Sequence, residues 1–322
     1  MDNDEIEEIL EDEIRRRNES LKSLRSQLNF TINSMIAGAG AGLLCTFLCA
    51  PMDNLKVRMQ VQGQLGLNKY KGGLFLNTQQ IIREEGVRGL YKGVGPAMMT
   101  VPIFWGFYWP IYNGMKSHFA KKYPTFPTHI AHLLSAISAG AVGDIITNPF
   151  WVIRTRLQTL TMHSESTVSN QTGTIQMMRI IYKEEGFKAF YKGLGASFLG
   201  LSHVAIQFPL YEYLKEFMQE HFEEAGSVAG IITASITSKL VASSISYPHE
   251  VLRSRLQDGR SVTSANGTNE GGVFRLVSHI IRTEGVWTLW AGLRVNLIRV
   301  VPATMSTFLS YEYLSSYLNS SN

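Results

Sequence analysis

The chain has 322 residues, of which 45% are hydrophobic and 17% charged, with a formal net charge of +4. That is sparse charge for a soluble protein and too slight a positive excess to indicate a nucleic-acid partner, so the composition fits a membrane protein with a polar interior. Two cysteines, Cys45 and Cys49, one helical turn apart, supply no disulfide framework and no metal site, and read as small buried side chains.

The N-terminus, MDNDEIEEILEDEIRRRNES, is acidic and then basic, with no apolar centre. It is neither a secretory signal nor an acid-poor transit peptide, and residues 1–28 read as a polar tail. The stretch from Thr31 to Met52 carries no charge and is about long enough to cross ~30 Å of hydrocarbon as a helix. Within it, Gly38-Ala39-Gly40-Ala41-Gly42 resembles a dinucleotide-binding turn, but that turn needs a preceding strand and a glycine where Leu43 stands. The small residues therefore read as close helix packing. Next come PMDNLKVRMQ at 51–60, an amphipathic segment around Asn77 to Ile82, EEGVRGLYKG at 84–93, and a second charge-free stretch from Gly93 to Met115 that contains Tyr112-Asn113.

This order then recurs twice. PFWVIRTRLQ (149–158) and PHEVLRSRLQ (248–257) repeat the first signature, with prolines 98 and 99 residues apart. EEGFKAFYKG (184–193) and TEGVWTLWAG (283–292) repeat the Glu-Gly element, and Tyr211-Glu212 and Tyr311-Glu312 the aromatic one. A period this long means a triplicated structural unit. Gly193 to Tyr211 is a third charge-free span, and three more, near 127–148, 226–248 and 293–312, are interrupted by Asp144, Lys239 and Arg299. The chain is thus predicted to be an all-α membrane protein of three ~100-residue repeats, 29–122, 127–218 and 225–318, with two spans each. A short amphipathic helix, such as the one around Met177 to Ile181, joins the two spans of a repeat along the membrane surface. The signature prolines fall inside apolar helices, where they remove a hydrogen bond and bend the backbone.

Pro-x-acid-x-x-base-x-base-x-Gln, three times over with the Glu-Gly and aromatic-acid elements, resembles the mitochondrial carrier family across residues 30–318. The resemblance implies six tilted transmembrane helices around a central cavity, with matrix-side amphipathic helices and both termini toward the intermembrane space. It implies a monomer in the mitochondrial inner membrane, with the peroxisomal membrane as the rival location. A gate at each end, alternating access, membrane lipid such as cardiolipin as a partner, and no cofactor follow from it too.

Carried over residue by residue, the matrix gate pairs Asp53 with Arg154 and Glu250 with Lys56, braced by Gln60, Gln158 and Gln257. Trp151 stands where the third acid belongs, which leaves Arg253 a cation–π contact worth roughly 0.5–2 kcal/mol. At the cytosolic gate only Glu312 with Lys116 keeps both charges. Asn113 faces Lys215 and Ser315 faces Glu212, so this gate is expected to be the weaker and the cytosol-open state to be favoured when empty.

Solute contacts fall around Thr100 to Trp105, Gly200 to His203, and Arg299. Arg299 suits phosphate or carboxylate, or else pairs with Asp144 or a glutamate. Trp105 stacks on a planar ring or lines the core. Gly200 with Leu201 forms a flat notch, His203 adds a hydrogen bond, and Lys239 is a second phosphate partner or neutralises Asp144. Together they favour a planar heterocycle bearing phosphate.

Asn148 to Arg156, His203 to Pro209 and Tyr247 to Arg253 resemble the branch that moves NAD, FAD, folate and pyrimidine nucleotides. Gly200-Leu201 before Ser202-His203, with Ser238-Lys239, is most similar to fungal NAD carriers. The expected activity is exchange of NAD+ for another nucleotide, with FAD, folate or a pyrimidine nucleotide as alternatives. No catalytic triad, metal cluster or Walker loop is legible for a nucleotide-dependent membrane enzyme. A non-transporting membrane scaffold is the other alternative class.

Overall fold

A computed structural model of the chain describes residues 33–67, 69–70, 72–123, 126–163, 172–221, 228–259 and 273–320. The tail at 1–28 lies outside the described residues. Regular structure among them is entirely helical. The first repeat supplies α1 (residues 33–61), α2 (Leu74–Glu85), the single turn α3 (Val87–Leu90) and α4 (Val94–Lys122). The second supplies α5 (Thr128–Thr159), α6 (Thr174–Glu185), α7 (Leu194–Gly200) and α8 (Ser202–His221). The third supplies α9 (Val228–Ser246), α10 (Pro248–Asp258), α11 (Val273–Thr283) and α12 (Leu293–Ser320).

The signature prolines act unequally. Helices α1 and α5 run unbroken through Pro51 and Pro149, whereas the chain breaks at Tyr247 and Pro248 becomes the first residue of α10. A proline costs a helix nothing at that first position, where its missing N–H has no partner to lose. A second break, at Leu201, separates α7 from α8 and was not legible in the sequence. Among the described residues, two helical runs, Asn33–Leu65 and Ile130–Met162, are apolar enough on their own to cross a membrane, with mean hydropathies of 1.7 and 1.5. The others mix in the polar residues that a helix with one wet face needs.

The chain forms two compact units, residues 1–48 with 302–322 and residues 49–301. In the first, Asn33 donates to the Leu318 carbonyl at 3.1 Å and the Cys45 thiol to the Ala303 carbonyl at 3.5 Å, so the two helical segments run antiparallel. Leu314 Cδ1 would stand 2.8 Å from a Cβ on Gly40, so close packing holds at that glycine, whereas a Cβ on Gly38 would meet nothing within 4 Å.

In the second unit an apolar cluster lies under each surface helix, centred on Leu55, Ile81 and Leu90; on Val152, Ile181 and Phe190; and on Leu252, Ile280 and Leu289. Helices α2, α6 and α11 bury matched pairs one turn apart, Asn77 with Ile81, Met177 with Ile181 and Leu276 with Ile280. The same helices leave Phe75, Ile175 and Phe274 exposed at 77%, 66% and 86%. An apolar residue exposed at one matched place in all three suits insertion at a membrane interface.

The second base of each signature clamps the Glu-Gly element of its own repeat. Arg58 is bidentate on Glu85, Arg156 on Glu185 and Arg255 on Glu284, with the longer bonds at 2.9, 2.9 and 2.8 Å. These guanidinium side chains are only 0%, 3% and 1% exposed, so the carboxylates are what make their burial tolerable. Lys92 at 2.9 Å and the Thr161 hydroxyl at 2.7 Å complete the shell of Glu85. Burial alone would push the Glu85 carboxyl up, but hydrogen bonds from Arg58, Thr161 and Lys92 and the Arg58 charge hold it down at about 2.

Three glycines then join the repeats in a cycle. Gly93, Gly193 and Gly292 adopt left-handed φ of 81°, 81° and 84° at the start of α4, α7 and α12. A Cβ there would also meet the carbonyl oxygens of Arg154, Arg253 and Lys56 at 3.0, 3.1 and 3.1 Å. Each repeat thus presses against the signature helix of the next, and the third closes on the first.

The carboxyl of Glu85 is lowered on folding, so its stabilisation is complete above its ordinary value of 4.5 and is lost as pH falls toward about 2. At 1.36 kcal/mol per unit this is worth about 3 kcal/mol. The melting temperature of the detergent-solubilised protein should hold above about pH 5 and fall below it. Glu85→Gln should melt lower at neutral pH and show a shallower acid fall; equal acid profiles for the two proteins would refute the assignment.

Candidate functional site

The first acids and bases of the three signatures meet at the C-terminal side of the prolines. Asp53, on α1, accepts from Arg154 Nη2 at 2.8 Å and faces Arg299 Nε at 3.2 Å. Lys56 pairs with Glu250 and donates to Asn296 Oδ1 at 3.0 Å. Both ion pairs read from the sequence are therefore in contact.

The third position departs as its sequence suggested. The Arg253 guanidinium lies 4.7 Å from the Trp151 ring centroid, and Arg154 lies 5.0 Å from the same ring. Arg253 Nη2 also stands 4.0 Å from Asp144 Oδ1, beyond hydrogen-bond reach. Two expectations change with this contact. Arg299 pairs with Asp53 and not with Asp144, and Lys239 is exposed with no ion pair to Asp144 among the described residues.

No hydrogen bond joins the three glutamines to the ion pairs among the described residues. Gln60 donates to the Tyr247 hydroxyl at 3.0 Å and accepts from Ser254 at 2.7 Å, while Gln257 accepts from Thr155 at 2.9 Å. Both therefore tie adjacent repeats. Gln158 is buried, its Oε1 has no hydrogen-bond partner, and its Cγ packs where a Cβ on Gly93 would come to 3.0 Å.

Several inter-repeat contacts were not read from the sequence. Arg156 Nε donates to the Gln257 carbonyl at 3.1 Å and Arg255 Nε to the Gln60 carbonyl at 2.9 Å. Buried Asp258 accepts from Thr159 at 2.5 Å, and His163 Nε2 lies 3.0 Å from its Oδ2. The residues that follow the three glutamines are Val61, Thr159 and Asp258, so this bond exists only where the repeats differ.

The expected solute contacts divide. Thr100 is 2% exposed and its hydroxyl is bonded to the Pro96 carbonyl at 2.8 Å, which removes it from any solute-facing surface. The Gly200 notch is filled, because a Cβ there would lie 2.7 Å from His249 Nε2. Leu201 packs against Gly140, where a Cβ would stand 2.9 Å from its Cδ2, and His203 Nδ1 lies 3.1 Å from Ser246 Oγ. Trp105 keeps 49% of its surface exposed and stacks on Trp109, with centroids 6.1 Å apart and planes at 24°. Phe104, Tyr108 and Tyr112 form a parallel file beside it, and Phe104 seats against Gly143 of α5.

At the aromatic-acid elements Asn113, Lys116, Glu212 and Glu312 are exposed, and Lys215 and Ser315 are half-buried. No hydrogen bond joins Asn113 to Lys215 among the described residues, and Ser315 accepts from Asn319 at 3.3 Å. No three His, Cys, Asp or Glu side chains are placed to share a metal ion among the described residues.

Restoring an acid at the third position tests the arrangement. Trp151→Asp should give Arg253 a direct partner, raise the melting temperature without solute and slow exchange at saturating solute, about fivefold for each kcal/mol of added closure. Faster exchange from a less stable protein would show that the indole is the stronger contact.

The chain matches the family described as mitochondrial carrier protein three times, over residues 27–123, 127–222 and 225–322. It is 34% identical over 297 residues to mitochondrial nicotinamide adenine dinucleotide transporter 1 of Saccharomyces cerevisiae, covering 90% of this chain and 78% of that one. It is 36% identical over 289 residues to the chloroplastic nicotinamide adenine dinucleotide transporter 1 of Arabidopsis thaliana, covering 88% and 90%. It is 29% identical over 316 residues to solute carrier family 25 member 36 of Mus musculus, covering 90% and 98%. Matched by all three repeats over an all-α fold, the chain belongs to the mitochondrial carrier family of transporters.

Proposed function

We propose that the chain exchanges NAD+ for another nucleotide across the mitochondrial inner membrane by alternating access, with both termini toward the intermembrane space. The observation that carries this reading is the half-exposed Trp105, stacked on Trp109 as a flat aromatic ledge on α4. Such a ledge suits a planar base. Arg299 supplies a cation for the phosphates, although it must share itself with Asp53. Relatives named as NAD transporters over about nine-tenths of this chain support the same solute. The ledge would equally hold the base of FAD, folate or a pyrimidine nucleotide, which keeps those as the second reading.

The ion pairs at the signature ends support a resting state closed at the matrix end. The three repeats complete one another's contacts within one chain, which supports function as a monomer. A groove of about 420 Å³ lined by Pro149, Met178, Tyr182, Phe187 and Phe190, with Arg179 and Lys183 beside them, suits a membrane lipid with an anionic head such as cardiolipin. The mitochondrial relatives support a mitochondrial membrane as its location.

Liposomes preloaded with NAD+, AMP, UTP, FAD or folate decide the solute. Labelled NAD+ should exchange fastest against internal NAD+ or AMP, and Trp105→Ala should raise its KM about tenfold, the loss of about 1.4 kcal/mol of stacking. Exchange of FAD, folate or UTP with none of NAD+ would replace the assignment.

A further inference from the structure

We infer that Arg253 is a phosphate site inside the pore, held shut by Asp144, so that an arriving anionic solute releases the third arm of the gate by taking Asp144's place. The inference rests on the nucleotide reading above and adds to it the residue that couples binding to opening. The other two first bases of the signatures are hydrogen-bonded to their partners, Lys56 to Asn296 and Arg154 to Asp53. Arg253 differs. Its side chain is only 22% exposed, yet neither Nε nor Nη2 has a hydrogen-bond partner.

The way Arg253 is held explains why these buried donors stay unbonded. Its guanidinium lies over the Trp151 ring at 4.7 Å, and an indole takes up a face of the cation, whereas its N–H groups project in its own plane. Asp144, at 4.0 Å, is near enough to balance the charge and too far to fill the fork. Seven residues separate Asp144 from Trp151 on α5, about two turns, which puts both on one face with Asp144 nearer the helix N-terminus. A phosphate is doubly suited to the vacant fork, since it accepts two parallel N–H bonds and carries the charge that Asp144 now supplies. Asp144 acts here as a positioning residue, and the groups that touch the solute are Arg253 and, by its face, Trp151.

Exchange kinetics of Asp144→Asn, Arg253→Gln and the double variant test this in liposomes. Asp144→Asn should lower the KM for NAD+ at least threefold with kcat changed less, and Arg253→Gln should raise it at least threefold. The double variant should match Arg253→Gln, because removing Asp144 has no effect without the cation it covers. An unchanged KM in Asp144→Asn, or the same Asp144 effect in both backgrounds, overturns the inference. A second measurement uses the wild-type protein in detergent. Inorganic pyrophosphate should slow phenylglyoxal modification of Arg253, read by mass spectrometry of its peptide, against chloride at equal ionic strength; no slowing overturns the site. If the wild type exchanges no nucleotide at all, the solute assignment fails, and the pyrophosphate result still decides the anion site.

Discussion

A guanidinium with almost no exposed surface is tolerable only when its fork is filled, and Arg58, Arg156 and Arg255 fill theirs with Glu85, Glu185 and Glu284. Each clamp fixes the end of a surface helix against the signature helix of its own repeat. That in turn sets where the left-handed glycine and the next long helix begin. Because Gly93, Gly193 and Gly292 rest on the carbonyls of Arg154, Arg253 and Lys56, the clamps also place the first base of each following repeat. The ion pairs of the proposed gate are thus positioned by a separate layer of buried charge.

On this near-symmetric frame the proposed gate is unequal. Two of its arms are ion pairs and the third is an indole between two guanidinium groups. A stacked cation is attracted without having its N–H donors occupied, so this arm closes the ring while keeping an anion-binding edge. Uneven arms also suit a transporter whose solute must do work on one side of the pore, since the loosest contact is the one an anion releases at least cost.

The repeat was legible because its period is long and its landmarks are rare residue combinations. The pairs Asp53–Arg154 and Lys56–Glu250, and the place of Trp151 beside Arg253, came from the family resemblance, carried onto positions that the matched offsets identify. The buried clamps were less visible, because a second base in the signature does not say which carboxylate it meets. Their chain separations of 27, 29 and 29 residues repeat in all three copies and were the available signal. The Gly200 notch was misread for a different reason. Whether a glycine's bare face is open depends on a neighbour, here His249 of the next repeat, and no local pattern announces it. Arg299 was expected to bind solute or to pair with Asp144 or a glutamate, and its place beside Asp53 depends on the three-dimensional register of α12 against α1.

The central claim is that ion pairs between successive repeats close the matrix end, and charge exchange across Lys56 and Glu250 tests it most directly. Lys56→Glu alone should place two carboxylates together and abolish most nucleotide exchange, and adding Glu250→Lys should restore a substantial part of it, since neighbouring charges are not additive. A double variant as inactive as the single one, or a single variant that exchanges normally, would contradict the account.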